Sequence, residues 1–351
     1  MKEADIRKRA PDAIRACFSG VPFIRVKQVR QNQRRGSIQA DLLIDLELDG
    51  GSLWQIVAEI KTNGQPRMAR EAVNQLLRWQ KELPAMYGMF VAPFISLDSA
   101  QICEGEGIGY ADIAGNCRIS FDRVFLSRTG LRNPFAEKRD LRSLYAPKSS
   151  RVLRVLLMRA SELWKTQALS REAGVSIGQV ANVRKLLRDR EWIAESDPGF
   201  KLTNPQRLLA AWSENYTFRK NVVRDFYSLK GQEEVEEDLA RACEQLDVPY
   251  AFSGFSAARR VAPAVRGQRV MAYVSTISEG LLQRAGLKEV ASGANVSLMV
   301  PYDEGVYYKA RQVDSLKVVC PVQLYLDLKG DKGRGEEAAE AVWKQELSLL
   351  W

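Results

Sequence analysis

The expected fold of the amino-terminal part of this chain follows from the stretch Ser37-Ile-Gln-Ala-Asp-Leu-Leu-Ile-Asp-Leu-Glu-Leu48. Two shorter segments follow it, Gly50-Gly51 and Glu59-Ile60-Lys61. In the first segment, apolar residues alternate with mostly polar ones, which predicts a half-buried strand with Asp41 and Asp45 on its polar face. The paired glycines predict a tight reversal. Residues 53–61 then predict a second strand with Glu59 and Lys61 on one face. We therefore expect a hairpin that brings Asp41 close to Glu59 and Lys61.

These three side chains suit a site for a metal ion beside a phosphodiester. Carboxylates bind Mg²⁺ through oxygen, and an ammonium group stabilises negative charge that develops on a phosphate. Asp41 and Glu59 are therefore candidate metal ligands, and Lys61 is a candidate charge stabiliser. Asp45 remains an alternative to Asp41, because it lies on the same face of the same strand. A solvated Glu and Lys at a strand end is the alternative interpretation of the Glu-x-Lys pattern.

An acidic residue on one strand before a Glu-x-Lys on the next resembles the core of the PD-(D/E)XK nucleases. A helix should follow the second strand, and residues 66–80 carry apolar side chains at helical spacing. Gln75, four residues before Trp79, resembles an accessory motif of some members of that superfamily. Ala40 stands where the family commonly has proline.

The resemblance implies an α/β class of fold, with a restriction-endonuclease-like α/β sandwich over residues 1–131. It also implies roles for four residues: Asp41 and Glu59 as Mg²⁺ ligands, Lys61 as charge stabiliser and Gln75 as an orienting group. The same scaffold also serves as a DNA-binding platform without catalysis. Whether this domain is an enzyme therefore stays open.

Histidine is absent from the 351-residue chain. This excludes Ser-His-Asp and Cys-His catalysis and histidine-liganded zinc, so any hydrolysis would depend on carboxylates, lysine and a hard metal ion. Five scattered cysteines without a Cys-x-x-Cys pair favour buried thiols. The formal net charge of +9 favours a polyanionic partner. With neither a long apolar run nor an amino-terminal signal, the protein is expected to be cytoplasmic and away from membranes.

Residues 132–147 are expected to form a basic linker, and residues 148–206 a compact helical domain. Helices are predicted at 151–159, 165–174 and 176–190, before a hairpin at 192–202 with a Pro-Gly turn. This order, with Ala-Gly-Val-Ser between the second and third helices, resembles a winged helix-turn-helix. The resemblance implies binding to double-stranded DNA. A winged helix that binds a protein partner is the alternative.

The third of these helices carries the candidate DNA-reading face. Ser176 is expected to cap it, and an inward stripe is expected at Ile177, Val180, Val183, Leu186 and Leu187. Amides read adenine edges, and cations bind phosphate or guanine. The candidate DNA-binding residues are Ser176, Gln179, Asn182, Lys185 and Arg188.

Residues 207–351 are expected to form an α+β domain, with a helix at 233–246 and strands at 270–275, 296–300 and 318–322. The phrases Leu202-Thr-Asn-Pro, Ala211-Trp-Ser-Glu-Asn-Tyr216 and Gln323-Leu-Tyr-Leu-Asp-Leu-Lys-Gly resemble AbiEi-type antitoxins of type IV toxin–antitoxin systems. That resemblance runs over residues 148–351. It implies a transcriptional regulator whose partners are operator DNA, a nucleotidyltransferase-type toxin and, as an open alternative, a second copy of the chain.

Two functions follow from these patterns. The sequence favours a DNA-binding regulator, because the resemblance to AbiEi-type antitoxins covers more of the chain. The alternative is a Mg²⁺-dependent DNA endonuclease targeted by its winged helix. The amino-terminal domain is a departure from the antitoxins, which often begin directly with the winged helix.

Overall fold

The computed structural model describes residues 3–35, 38–83, 86–135, 144–264, 267, 269–331 and 334–351. The chain divides into a smaller unit, Met1–Lys138 with Arg188–Glu191, and a larger unit, Arg139–Leu187 with Trp192–Trp351. The predicted boundary near residue 131 falls close to this division, whereas residues on both sides of the predicted boundary at 206 share the larger unit. The predicted linker at 132–147 lies partly outside the described residues, at 136–143.

The smaller unit alternates helices and strands in the order that the sequence predicts, with one further strand at its end. Its elements are α1 (Glu3–Phe18), β1 (Ile24–Arg35), β2 (Ile38–Leu48), β3 (Leu53–Ile60), α2 (Pro66–Glu82), β4 (Met86–Ala92), α3 (Leu97–Gly105), β5 (Gly109–Asp112), β6 (Cys117–Phe121) and β7 (Val124–Arg128). The stretch of arginines and glutamines after residue 29 continues β1 as far as Arg35. Gly50 and Gly51 form the predicted reversal between β2 and β3 with φ angles of 97° and 83°, which glycine adopts without strain.

The strands of the smaller unit form one seven-stranded mixed sheet in the order β1-β2-β3-β4-β5-β6-β7. The hairpin of β2 and β3 is antiparallel, whereas β3, β4 and β5 run parallel. On one face, Ile6, Ala10 and Ile14 of α1 pack against Ile44 and Ile56 in a single apolar cluster. On the other face, a second cluster joins α2 and α3 to the sheet through residues that include Leu43, Val57, Leu76 and Cys103. The predicted α/β class is confirmed for this unit.

Residues 147–202 contain the predicted three helices and hairpin. The helices are α4 (Pro147–Met158), α5 (Thr166–Ala173) and α6 (Ile177–Asp189), and the hairpin pairs β8 (Ile193–Ser196) with β9 (Gly199–Leu202). Gly174 ends α5 in the left-handed conformation, a common helix stop. Trp164 forms a bridge to Phe200 of β9, so an extended residue before α5 adds to the edge of the hairpin.

The carboxy-terminal part of the larger unit is a second mixed sheet with helices, as expected. After α7 (Pro205–Glu214), the strands are β10 (Val222–Tyr227), β11 (Tyr250–Phe252), β12 (Val270–Val274), β13 (Lys288–Glu289), β14 (Val296–Val300), β15 (Arg311–Val313) and β16 (Leu316–Val318). They form seven strands in the order β13-β10-β14-β12-β11-β16-β15. The helices are α8 (Gln232–Gln245), α9 (Gly254–Val261), α10 (Glu279–Arg284), α11 (Pro321–Lys329) and α12 (Gly335–Val342).

Two local predictions in the larger unit are wrong. The strand expected at 318–322 ends at Val318, and α11 begins at Pro321, because proline suits the first turn of a helix and has no N–H for a strand ladder. Ile177 does not belong to the buried stripe of α6, since it is 52% exposed. It is the first residue of the helix, and the buried stripe begins one turn later, at Val180.

A buried polar network in the larger unit joins α4 to α11. Arg154 is 1% exposed, and it donates to Gln323 Oε1 from Nε at 3.0 Å and from Nη2 at 2.6 Å. Gln323 Nε2 in turn donates to Asp327 Oδ1 at 3.0 Å. Asp327 also accepts hydrogen bonds from the hydroxyl groups of Tyr216, Tyr273 and Ser253. These contacts satisfy polar groups that would otherwise be costly to bury.

Candidate functional site

The hairpin of β2 and β3 brings Asp41 and Glu59 to the same end of the sheet. Leu42 faces Ala58 across the antiparallel ladder, and Asp41 and Glu59 are the next residues on their strands. Side chains alternate between the two faces of a strand, so both carboxylates share the face of Leu43 and Val57, which packs against α2. The predicted proximity of Asp41 to Glu59 therefore agrees with the register.

Asp41 is held by two donors from different elements. Its Oδ2 accepts a hydrogen bond from the backbone N–H of Ile60 at 2.8 Å, and its Oδ1 accepts one from Arg7 Nη1 at 2.6 Å. Arg7 comes from α1 and also donates to Glu3 and to Asn32 Oδ1. The first contact fixes Asp41 beside β3, and the second places a positive charge against the carboxylate.

Glu59 is held by the other two predicted residues. Lys61 Nζ donates to Glu59 Oε1 at 2.8 Å, and Gln75 Nε2 donates to Glu59 Oε2 at 3.1 Å. The Glu59 side chain is only 9% exposed. Its burial raises the pKa of the Glu59 carboxyl group above the ordinary value, the hydrogen bond from Lys61 opposes that change, and the negative charge of Asp41 adds to it. In this acidic site (Asp41, Glu59, Lys61 and Gln75), Lys61 and Gln75 thus both bind Glu59, and the strand register places Asp41 opposite Glu59.

A cavity of about 540 Å³ opens on these groups. It is lined by both carboxylates and Gln75, and by Gln39, Arg78, Trp79 and Glu82. The cavity is polar and open enough to admit a charged ligand, with Trp79 as an apolar wall that is itself 8% exposed. Gln75 and Trp79 of α2, which the sequence paired by their spacing, therefore border the same space.

Two other acidic residues are engaged elsewhere. Asp45, the alternative to Asp41, accepts hydrogen bonds from Arg30 Nη2 at 2.5 Å and from Gln55 Nε2 at 2.7 Å. Asp112 is 1% exposed and accepts from the backbone N–H groups of Ile95 and Asn116, so it organises the turn between β5 and β6. Neither carboxylate lines the cavity, and Asp41 remains the better candidate.

The donor set of the acidic site fits a hard divalent cation. Mg²⁺ is usually bound by one or two carboxylates together with substrate phosphates and water, and Asp41 and Glu59 supply two carboxylates on one cavity. In the described part of the chain, no group of three Asp, Glu or Cys side chains that could hold a metal ion is present. Each oxygen of Asp41 and Glu59 already accepts one hydrogen bond, so a cation would compete with Arg7 and Lys61 for them.

The candidate DNA-reading face of α6 is partly as predicted. Val180, Val183, Leu186 and Leu187 are buried, whereas Asn182 and Lys185 are exposed. Ser176 accepts a hydrogen bond from the N–H of Gln179 at 3.2 Å, as expected of a cap. Gln179 is half-buried and donates to Ser149 Oγ at 2.7 Å, and Arg188 is also half-buried. Ser176, Asn182 and Lys185 are therefore the exposed members of the predicted set.

Arg7 is the residue of the acidic site that the sequence analysis missed. It follows Ile6, which belongs to the buried stripe of α1 with Ala10 and Ile14. That stripe predicts which face of α1 is buried, and it places Arg7 at the margin of that face. Nothing in the sequence links Arg7 with Asp41, because they are 34 positions apart and meet only through packing.

Comparison with known families gives one match in the carboxy-terminal part. Residues 201–348 match the AbiEi antitoxin family. The matching model is described as a transcriptional regulator, AbiEi antitoxin, of a type IV toxin–antitoxin system. The predicted resemblance to AbiEi-type antitoxins is confirmed over these residues. The match does not include residues 148–200, where the resemblance remains a prediction.

Three solved structures show a limited likeness to this chain. A repair endonuclease from Pyrococcus abyssi is 16% identical with a TM-score of 0.25, and 32% of this chain and 46% of that chain are covered. A complex of EndoMS with double-stranded DNA is 16% identical with a TM-score of 0.22, covering 29% and 43%. EndoMS in its apo form is 12% identical with a TM-score of 0.21, covering 30% and 45%. The chain thus spans less than half the length of each.

No curated protein matches this chain. None of the helices in the described ranges has the length and apolar character needed to cross a membrane.

Proposed function

We propose that this protein is a DNA-binding transcriptional regulator that contacts double-stranded DNA through α6. The exposure of Asn182 and Lys185 on a helix whose opposite stripe is buried carries this proposal. An amide can read an adenine edge, and a lysine can neutralise a backbone phosphate. The match of residues 201–348 to an antitoxin and regulator family supports the same role.

Within this role, the three helices and hairpin of residues 147–202 act as a winged helix-turn-helix. The capped start of α6 would enter the major groove, and the β8–β9 hairpin would lie along the backbone. The resemblance to the antitoxins extends the proposal to a nucleotidyltransferase-type toxin as protein partner. Co-purification of the tagged protein with such an enzyme, expressed from the same operon, would support that part.

The regulator is tested by binding to DNA from upstream of its own coding sequence. Nuclease protection should reveal one or more protected segments of defined sequence, and a competitor of scrambled sequence should not displace the protein at equal concentration. Equal affinity for all duplexes would contradict sequence-specific regulation.

A Mg²⁺-dependent DNA endonuclease is the second candidate. It is favoured by the cavity that Asp41, Glu59 and Gln75 line and by the hydrogen bond that Lys61 donates to Glu59. In this role the amino-terminal unit has a restriction-endonuclease-like fold. Asp41 and Glu59 would hold the metal, which when bound polarises a phosphate and activates water. Lys61 would stabilise charge on the phosphodiester, and Gln75 would fix the orientation of Glu59.

The two candidates are separated by incubating the protein with duplex DNA in Mg²⁺ and in a chelator. Cleavage in Mg²⁺ alone, abolished by Lys61→Ala with DNA binding retained, would establish the endonuclease. Lys27→Ala is the matched control, since Lys27 forms an equally short 2.8 Å pair with Glu47 on the same sheet, and Glu47, unlike Glu59, does not line the cavity. If the protein binds DNA but does not cleave it in Mg²⁺, the result would support the transcriptional regulator and not the endonuclease.

A further inference from the structure

The larger unit contains a cavity of about 1010 Å³ on one face of its sheet. Asp225 of β10 faces Ser297 of β14 in the antiparallel ladder, and Met271 of β12 faces Ser297 from the other side. All three residues line the cavity, so they form a continuous floor across three adjacent strands. A volume of this size lies near the upper end of the range for small-molecule sites, roughly 300–1,000 Å³.

Three basic side chains from three different elements converge on this cavity. Arg219 comes from the 3₁₀ turn before β10, Arg269 immediately precedes β12, and Lys329 ends α11. Asp225 and Asp331 are the acidic residues of the lining. The lining therefore has one more basic side chain than acidic side chains. Because the three basic residues come from different parts of the chain, they can contact a bound group from different directions.

The ion pairs of these cations leave positive charge available. Asp225 Oδ1 accepts from both Arg269 Nη2 at 2.6 Å and Ser297 Oγ at 2.7 Å, which fixes the guanidinium over the floor. Lys329 is 3.4 Å from Glu336, whose side chain is 74% exposed, so that pair is weak. Arg219 is exposed and forms no ion pair within the described ranges of the chain.

Two aromatic residues of the cavity lining, Tyr216 and Phe218, are held in place by contacts with neighbouring residues. Tyr216 lines the cavity, and its hydroxyl donates to buried Asp327 at 2.5 Å. Phe218 also lines the cavity, and its ring lies against Gly330, where a Cβ would come within 3.1 Å of Phe218 Cδ1. The two aromatic residues add apolar surface beside the cations, and their fixed positions reduce the entropy lost when a ligand binds.

We propose that this cavity binds a phosphate-bearing small molecule, with its phosphate oxygens among Arg219, Arg269 and Lys329. Guanidinium and ammonium groups form charge-assisted hydrogen bonds with phosphate, and arginine does so with two parallel N–H groups. The aromatic wall would contact an apolar or ring-bearing part of the ligand, which makes nucleotides suitable members of the class. None of these residues belongs to the acidic site or to α6, so the inference goes beyond the proposed function.

The inference is tested by isothermal titration of the full chain with three probes in chelator: ATP, inorganic tripolyphosphate and adenosine. ATP and tripolyphosphate should each bind in a saturable way with one site per chain, whereas adenosine should bind at least tenfold more weakly than ATP. Each of these cations would form charge-assisted hydrogen bonds, which are stronger than neutral ones. Arg219→Ala and Lys329→Ala should therefore each weaken binding of ATP by about tenfold or more.

Lys317→Ala is the matched control, because Lys317 is an exposed lysine of the same unit that does not line the cavity. It should bind ATP as the parent does, and circular dichroism should show that all three variants are folded. Tight binding of tripolyphosphate with weaker binding of ATP would identify a polyphosphate rather than a nucleotide, still within the proposed class. Absence of saturable binding by both phosphate probes, or equal weakening in Arg219→Ala and Lys317→Ala, would overturn the inference.

Discussion

Arg7 decides how accessible the acidic site is to a cation. Its guanidinium lies 2.6 Å from Asp41 Oδ1, one of the carboxylate oxygens that could otherwise bind a metal ion. A metal ion and the Arg7 guanidinium are both positive, so each would weaken the binding of the other to that oxygen. The charge of Asp41 is therefore already balanced by Arg7, and we expect Arg7 to compete with a cation for that oxygen.

Replacing Arg7 by glutamine should tighten the binding of Mn²⁺, used as a calorimetric substitute for Mg²⁺. A part-exposed ion pair of this kind is worth about 1 kcal/mol, which corresponds to roughly a fivefold decrease in Kd. Arg15→Gln is the control, because Arg15 lies on the same helix and pairs with Asp12 at 3.2 Å. Unchanged or weaker binding in Arg7→Gln would show that Arg7 does not compete with the metal.

Glu59 should make metal binding depend on pH. Its pKa is raised chiefly by burial, and only the deprotonated carboxylate binds a cation. Binding should therefore strengthen as the pH rises through that elevated pKa. Lys61→Ala removes the hydrogen bond that lowers the pKa of Glu59, so the midpoint of the Mn²⁺ titration should move to higher pH.

The control for this titration is Lys27→Ala, whose partner Glu47 lies on the same sheet. It should leave the midpoint where it is in the parent protein. A midpoint that moves to lower pH in Lys61→Ala would contradict the sign of the argument. Loss of Mn²⁺ binding in Glu59→Gln at every pH would establish that the titrating group is the ligand itself.

At the scale of the element, α6 combines a buried stripe with an exposed polar face. The stripe of Val180, Val183, Leu186 and Leu187 anchors the helix, so Asn182 and Lys185 can be changed without disturbing the core. Simultaneous replacement of both by alanine should weaken binding to the preferred DNA. A base contact by Asn182 is worth about 1–3 kcal/mol, and loss of Lys185 should lower the salt slope by about one.

The measurement is a filter-binding or fluorescence titration at several salt concentrations. Gln312→Ala with Lys317→Ala forms the matched control, since it changes the same kinds of group at exposed positions of β15 and β16. If the α6 variant bound every tested DNA as tightly as the parent, the assignment of α6 as the DNA-reading helix would be wrong.

At the scale of the whole larger unit, buried Arg154 joins segments that are far apart in the sequence. It reaches Gln323, 169 positions away, donates to Ser150 Oγ, and lies over the ring of Trp212 at 5.2 Å from the centroid. Residues 147–202 are thereby connected with the helices of the second sheet. We expect these parts of the unit to unfold together.

Replacing Arg154 by leucine should destabilise the larger unit by about 3–5 kcal/mol, because it removes one member of a buried charged network and leaves its partners unsatisfied. Arg241→Leu is the control, since Arg241 is 60% exposed and pairs with Asp238 on the same helix. It should change the free energy of unfolding by about 1 kcal/mol or less. Urea titration followed by tryptophan fluorescence would measure the free energy of unfolding of both variants. An equal decrease in Arg154→Leu and Arg241→Leu would contradict a structural role for the network.

Features formed by residues close together along the chain could be predicted from the amino-acid sequence alone. Alternation in β2 and β3, the Gly50-Gly51 reversal and the Gln75–Trp79 spacing predicted which side chains share a face and which end of the hairpin carries the acids. The burial of α6 at Val180 and Val183 followed from the same periodicity. These features depend on the fixed repeat of strands and helices, so they can be derived without knowing what packs against them.

Contacts between distant segments could not be predicted in this way, because they form only when whole elements pack together. Arg7 meets Asp41 because α1 packs on the sheet, and Arg154 is buried because α11 brings Gln323 to it. The lining of the larger cavity likewise depends on strand order, which places β10, β14 and β12 side by side although they are not consecutive. Such contacts depend on how whole elements pack, and no local repeat in the sequence specifies that packing.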